Sequence, residues 1–424
     1  MLYMNSKGKA LLAVSAVVFS FVILFVFYGY NQTWRLWNVP VMFPPGETVG
    51  FSDLRVITHG ADSVAKGLDP LISNPDDPWG RPVNYPRVWQ ILYSLGINKS
   101  QTVFLGLIMI FCFLTGVVVV LHNSTNMTIA LGMGALISPA VLIGVERANI
   151  DLFIFFLVVT TIYFARKSAI LGDLLIIFST ALKLYPIFGL TFMLRMRERK
   201  FLLHAGIVVA ILSVYFALIW PELILISRAT PRATDLSYGM NVFWMRMQQF
   251  NYSLGLLSHI ICFALILVAA CLAVVACRRP SILEMTDLGE GSFSFDSFRV
   301  GSSVYLGTFI LGNNWDYRLS FLILVIPQLS LWMASSNKQL RLCSKGATCA
   351  LFASMWYLAI SELWARFASN LIHVLPKTKS LPWLFDELVN WLLFFLLTYL
   401  FFLTLPEWTK NLLRFPYRPT KRRT

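Results

Sequence analysis

Residues 169–200 read Ala-Ile-Leu-Gly-Asp-Leu-Leu-Ile-Ile-Phe-Ser-Thr-Ala-Leu-Lys-Leu-Tyr-Pro-Ile-Phe-Gly-Leu-Thr-Phe-Met-Leu-Arg-Met-Arg-Glu-Arg-Lys. A helix crossing a bilayer needs about 20 mostly apolar residues. A single crossing at 169–194 would place Arg195-Met-Arg-Glu-Arg-Lys200 outside and invert everything downstream. Two short crossings, turning at Lys183-Leu-Tyr-Pro186, keep that basic run inside, where loops flanking spans carry excess Lys and Arg. The charge rule selects the two short crossings. Helices this short or broken are tolerated at membrane depth where they line an enclosed or water-filled cavity.

The whole chain fits that reading. It has 424 residues, of which 57% are hydrophobic and 13% charged, with mean hydropathy +0.68. Soluble domains carry about 45–50% apolar and about 25% charged residues. A soluble enzyme, a disordered chain and a disulfide scaffold are therefore excluded. Apolar runs predict spans near 10–30, 102–121, 127–144, 150–165, 169–182, 186–195, 201–219, 252–276, 300–311, 319–334, 347–361 and 388–405.

The net charge of +14 points to nucleic acid only until the charges are placed. With the N-terminus inside, Lys7, Lys9, Arg166, Lys167, Arg195 to Lys200, Arg278, Arg279, Arg299, Lys338, Arg341, Lys345 and the tail all fall inside. The outer segments are nearly balanced. We expect one all-α polytopic membrane domain over 1–424, with about 12 transmembrane helices and both ends cytoplasmic, in a bacterial inner or plasma membrane. Lys9 to Tyr30 lacks a small-residue cleavage site and reads as a retained helix.

The long outer segments are 31–101, 220–251 and 362–387, and a basic cytoplasmic tail covers 406–424. The inner loops are too short for βαβ units of about 30 residues each. Leu288-Gly-Glu-Gly291 lacks the Lys-Ser/Thr of a phosphate loop. No Cys falls in an outer segment or forms a metal-type pair, so neither disulfide nor zinc is expected. The adjacent Asp76 and Asp77 are weak evidence for a cation, and no metal or other cofactor is predicted.

The first outer loop contains Phe51-Ser-Asp-Leu-Arg-Val-Ile-Thr-His-Gly-Ala-Asp-Ser-Val-Ala-Lys66. Leu54, Ile57, Ala61, Val64 and Ala65 recur at helical spacing, with Arg55, His59, Asp62 and Lys66 on another face. This predicts an amphipathic helix lying on the membrane and stopped by Gly67. A second follows Pro86, with Val88, Ile91, Leu92 and Leu95 as its stripe. Asp53 after the first span, this helix, Gly67-Leu-Asp-Pro70 and Tyr85-Pro86 together resemble the first extracytoplasmic loop of the GT-C membrane glycosyltransferases. The nearest resemblance is to glycosyltransferase family 87, the polyprenyl-phosphate-mannose-dependent mannosyltransferase-like group. Glu146-Arg-Ala-Asn-Ile-Asp151, Lys183-Leu-Tyr-Pro186, Asn251-Tyr-Ser253 and Asn314-Trp-Asp-Tyr-Arg318 extend it over roughly residues 10–335. Where some members carry His, this chain has Asp316 and Arg318.

The resemblance implies that Asp53 is the general base, although an Asp at a helix start also suits an N-cap. Lys183, Arg318 and Arg147 sit at outer span ends. A snorkelling cation is the ordinary explanation there, but intramembrane charge beside broken helices marks a functional path. They are expected to contact the donor phosphate, unless Arg147 merely pairs with Glu146 or Asp151, and Arg318 with Asp316. His59, Tyr85, Asn149, Asn251 and Asp316 are further candidates for substrate contact, His59 against a hydrated place on the polar helix face. Trp34, Trp37 and Trp220 fit an interfacial belt.

The implied activity moves a hexose, mannose or a related sugar, from a polyprenyl-phosphate donor to a lipid or glycan acceptor by inverting displacement. The partners are then that donor, that acceptor and membrane lipid, with no nucleic acid. A transporter or flippase for a lipid-linked or small solute is the rival, because it too uses broken helices and midplane charge. A catalytically dead protein that binds polyprenyl lipid is the third reading.

Overall fold

The computed structural model describes residues 6–44, 46–279, 292–372 and 381–413. The last residues of the expected basic tail, part of the 277–299 inner loop and residues 373–380 lie outside them. The described residues are almost wholly helical. Strand structure is limited among them to an antiparallel pair, Ser237–Tyr238 with Asn314–Trp315, in the register Ser237 opposite Trp315. Five helices are long and apolar enough to cross a membrane: Gly8–Arg35, Lys99–Leu121, Glu198–Leu218, Tyr252–Cys277 and Pro382–Leu403. Two bent pairs, Asn126–Leu136 with Pro139–Glu146 and Lys338–Met355 with Tyr357–Ala368, raise the number to seven. The chain is an all-α, multi-pass membrane protein, with five to seven such spans where about twelve were expected.

The stretch that decided the sequence reading does reverse at Lys183. The Ala169–Leu182 helix is followed by a 3₁₀ segment, Tyr185–Arg195. Lys183 pairs with Asp151, the first residue of the Asp151–Ala165 helix. Arg195 instead approaches Asp296 at 3.7 Å, beside Arg166 just past the far end of that helix. Fifteen residues at about 1.5 Å each separate the two places by about 22 Å. Eleven 3₁₀ residues at about 2 Å each cover the same height. Fewer residues than an α-helical span needs thus travel the same distance. A second 3₁₀ segment, Asp316–Val325, runs on into the Ile326–Met333 helix.

One expected span changes in extent. The 300–311 run is the end of a longer helix, Phe293–Leu311. Ser292 Oγ accepts from Phe295 N to begin it. Hydropathy stops at Asp296 and Arg299, but the fold buries both: Asp296 is held by Arg166 at 2.7 Å, and Arg299 donates to the Thr404 carbonyl. A paired charge no longer marks a loop. At Gly301 an added Cβ would lie 2.7 Å from Leu324 Cβ, so glycine lets this helix approach the 3₁₀ segment at the centre of the core.

The first outer loop differs more. The expected 51–66 helix is two short ones, Ser52–Thr58 and Gly60–Ala65, meeting at His59. Its polar face is turned inward at Arg55, 1% exposed, and His59, 6%, while Lys66 at the far end stays exposed. Arg55 is neutralised by Glu47 and donates to the Gly50 and Val49 carbonyls. The loop folds inward because its charged face finds partners within its own chain. After Pro86 the chain forms a 3₁₀ turn, Arg87–Gln90, and a helical turn, Ile91–Ser94. Trp34, expected at the interface, is buried against Phe21, Phe25 and Tyr30. Trp220 is exposed, as a belt residue would be.

Candidate active site

Two residues in left-handed backbone, Phe51 (φ 49°) and Ala148 (φ 45°), set the position of Asp53. Such values are rare for residues with a side chain. Phe51 N donates to the Glu146 carbonyl (3.0 Å) and Asp53 N to the Arg147 carbonyl (3.2 Å), so the start of the 52–58 helix is tied to the turn at 146–149. Gly106 makes room for this joint: a Cβ there would lie 2.5 Å from the Phe51 ring and 3.2 Å from Ala148 Cβ.

From that turn Asn149 works in two directions. Its Nδ2 donates to Asp53 Oδ2 at 2.6 Å, and its Oδ1 accepts from Asp151 N at 2.9 Å. Asp53 therefore does not serve as an N-cap; Phe51 holds that position, without a side-chain capping bond. The Asp53 carboxylate faces a cavity and is oriented by a neutral amide.

Asp151, 1% exposed, is the hub of the opposite wall. It accepts from Tyr185 Oη at 2.8 Å and pairs with Lys183 Nζ at 2.5 Å and Arg318 Nε at 3.2 Å. Arg318 also donates to Asn314 Oδ1 and lies over the Tyr185 ring. Lys183 Nζ sits 5.2 Å from the Tyr85 ring centroid. Arg147 makes no ion pair with Glu146 or Asp151; its guanidinium lies over Trp315 at 5.1 Å. Three cations face Asp53 and Asp151, and a third carboxylate, Glu146, lies buried beside Arg147 and Asp53. A buried cluster of this kind is held together by its pairs; among the described residues Arg147 is the cavity cation that meets an aromatic ring and not an acid.

A cavity of about 530 Å³ is bounded by Asp53, Arg147, Lys183, Arg318, Tyr85 and Arg81. Its size falls in the range typical of small-ligand sites. Val56, Leu184, Ile226 and Leu311 supply an apolar side. Arg81 is already engaged, bidentate with Asp77 and donating to the Ser52 carbonyl. Burial lifts the Tyr85 hydroxyl well above the usual phenol range, so it stays a neutral donor at ordinary pH.

Four of the expected charged residues thus meet at one place, with Tyr85 beside them and Asn149 touching Asp53. Three candidates do not join them. His59 is turned away, its Nδ1 2.7 Å from the Asp76 carbonyl oxygen. Asn251 caps the Tyr252–Cys277 helix, accepting from Ser253 N at 2.8 Å, and is exposed. Asp316 is buried outside the cavity lining, and Arg318 pairs with Asp151 in its place. In the same loop, Asp76 and Asp77 are taken up by Lys66 and Arg81. The Arg87 guanidinium holds the Asp69 carboxyl below its ordinary range.

Sequence reasoning missed Asp151 as the hub. The signal was present: an acid opening the run Leu-Phe-Ile-Phe-Phe must find a cation. Comparison with known proteins returns no match, whether with family models, curated proteins or solved structures.

Proposed function

We propose that the chain is a GT-C type membrane glycosyltransferase with twelve spans, moving a hexose from a polyprenyl-phosphate donor to a lipid or glycan acceptor on the extracytoplasmic side. The observation that carries this reading is the single cavity joining Asp53, oriented by Asn149, to Lys183, Arg147 and Arg318. The short segments that join the two charged ends support the count, since each covers about 22 Å with fewer residues than a regular span. A lipid-linked donor reaches such a site by lateral diffusion and needs an apolar groove, which Ile226, Leu311 and Leu184 offer.

In the reaction the acceptor oxygen bonds to the sugar C1 as the C1–O bond to phosphate breaks. Asp53 takes the acceptor's hydroxyl proton, and the phosphate departs with the bonding electron pair. The donor is a phosphodiester with one negative charge, which the cavity cations Arg147, Lys183 and Arg318 can meet. The leaving phosphate monoester gains charge, so the cations favour the transition state over the bound donor. Phosphate leaves readily, and no general acid is required.

The bends of 54° and 68° in the two broken helix pairs favour the rival, a flippase for a lipid-linked solute. Purified protein with radiolabelled polyprenyl-phosphate hexose and membrane acceptor separates the two. Release of polyprenyl phosphate, indifference to nucleotide sugars and a Lys183→Ala variant that loses turnover more than donor binding are expected. Donor carried across a liposome bilayer with its C1–O bond intact would establish the flippase. Reporters fused after Arg199 and within 225–240 should read cytoplasmic and extracytoplasmic; the opposite result ends the twelve-span topology.

A further inference from the structure

A second cavity, about 780 Å³, opens at the other end of the bundle. It shares no residue with the first. His122, Arg166 and Lys167 line it, and no carboxylate does among the described residues. Arg166 spends one nitrogen on Asp296, which also draws Arg195, and its side chain remains 29% exposed. Among the described residues Lys167 meets no acid. Its Nζ donates to Tyr163 Oη at 3.1 Å and lies over the Tyr163 ring at 4.5 Å, contacts that orient an ammonium without neutralising it. Among the described residues Arg166, Arg195 and Arg299 surround the Asp296 carboxylate, and Lys167 adds a further positive charge.

The rest of the wall divides by polarity. Hydroxyls of Ser124 and Thr125 lie with the cations, while Val118, Val119, Pro327 and Leu331 form an apolar side. Val118 and Val119 belong to the Thr102–Leu121 helix, one of the membrane-crossing set. A cationic pocket continuous with a lipid-depth apolar wall suits an amphiphile whose polar end is an anion. Arg and Lys donate charge-assisted hydrogen bonds to phosphate, and basic pockets between spans are where acidic lipid headgroups bind.

We propose that this cavity holds the phosphate headgroup of an anionic membrane lipid, with an acyl chain against Val118 and Val119. The inference is independent of the glycosyl-transfer reading, because the two cavities lie at opposite ends of the 151–165 helix.

Native mass spectrometry of the full chain in detergent tests it, with phosphatidic acid against phosphatidylcholine of the same acyl chains. One phosphatidic acid should be retained in preference. Lys167→Gln, at an exposed position, should weaken that retention about tenfold, the loss of about one charge-assisted contact. Val119→Trp, which fills the apolar side and keeps every cation, should weaken it likewise, while both variants melt as the parent does without lipid. Equal retention of the two lipids, or parental retention in both variants, overturns the proposal. So does complete displacement of phosphatidic acid by millimolar inorganic phosphate with equal stabilisation, since the ligand would then be a free anion.

Discussion

Asp151 and Asp296 lie on different helices at opposite ends of the bundle, and each is 1% exposed. Each lies near two cations: Lys183 and Arg318 in the first case, Arg166 and Arg195 in the second. As ion pairs the two clusters are alike, and both fasten short elements of the chain. They differ in what stands beside them. Next to Asp151 lie Asp53, whose hydrogen-bond partner is an amide, and Arg147, which faces an aromatic ring. Beside Asp296 the cavity wall holds Arg166, Lys167 and His122 and, among the described residues, no carboxylate. A buried pair accounts for architecture; the charge left unneutralised beside it identifies a place where something can bind or react.

The largest effect expected is at Asp53. Asp53→Asn keeps the size but cannot accept a proton, and transfer should fall by about 10²–10⁴-fold with unchanged expression. An active Asn variant would erase the functional difference between the two ends. Next come Asp151→Ala, which leaves the largely buried Lys183 and Arg318 without their acid, and Asp296→Ala, which strands the part-exposed Arg166 and Arg195. Asp151→Ala should cost about 3–5 kcal/mol in stability by thermal melting in detergent, and Asp296→Ala less, because water reaches its arginines. Turnover per folded molecule should collapse only in the Asp151 variant, and equal collapse in both would make the Asp151 cluster no more functional than the Asp296 one.

Asn149→Ala should lower turnover by about tenfold, the effect of losing one hydrogen bond to a charged group, with little change in melting. A variant that melts early and turns over normally when folded would recast Asn149 as a structural link between the two turns. The smallest effect is at Asn251. Asn251→Ala removes a helix cap worth about 1 kcal/mol and should leave turnover untouched, as expected for a residue outside both cavities.

Much of the Asp53 cavity was legible in the sequence. Lys183, Arg147 and Arg318 stood out because cations are costly beside apolar helix ends, and Asp53 because of the loop that the resemblance picked out. His59 and Arg55 were misplaced for a definite reason. Periodicity reports which residues share a face, and the chain supplied Glu47, Gly50 and Asp76 to meet that face, so no water was needed. Phe51 and Ala148 gave no signal at all, since nothing in a Phe or an Ala announces left-handed backbone.

The sequence alone determined the solvent, the helical class and the reversal at Lys183. Those follow from composition, apolar run length and the sidedness of basic residues, each a property of the chain read locally. Only the tertiary structure decided that Phe293–Leu311 begins so early and that Asp151 holds Arg318, 167 positions away. It also decided that Asp53 is turned to a cavity and does not cap its own helix. A buried charge is tolerated only when an opposite charge lies within a few ångströms, and that distance is set by folding.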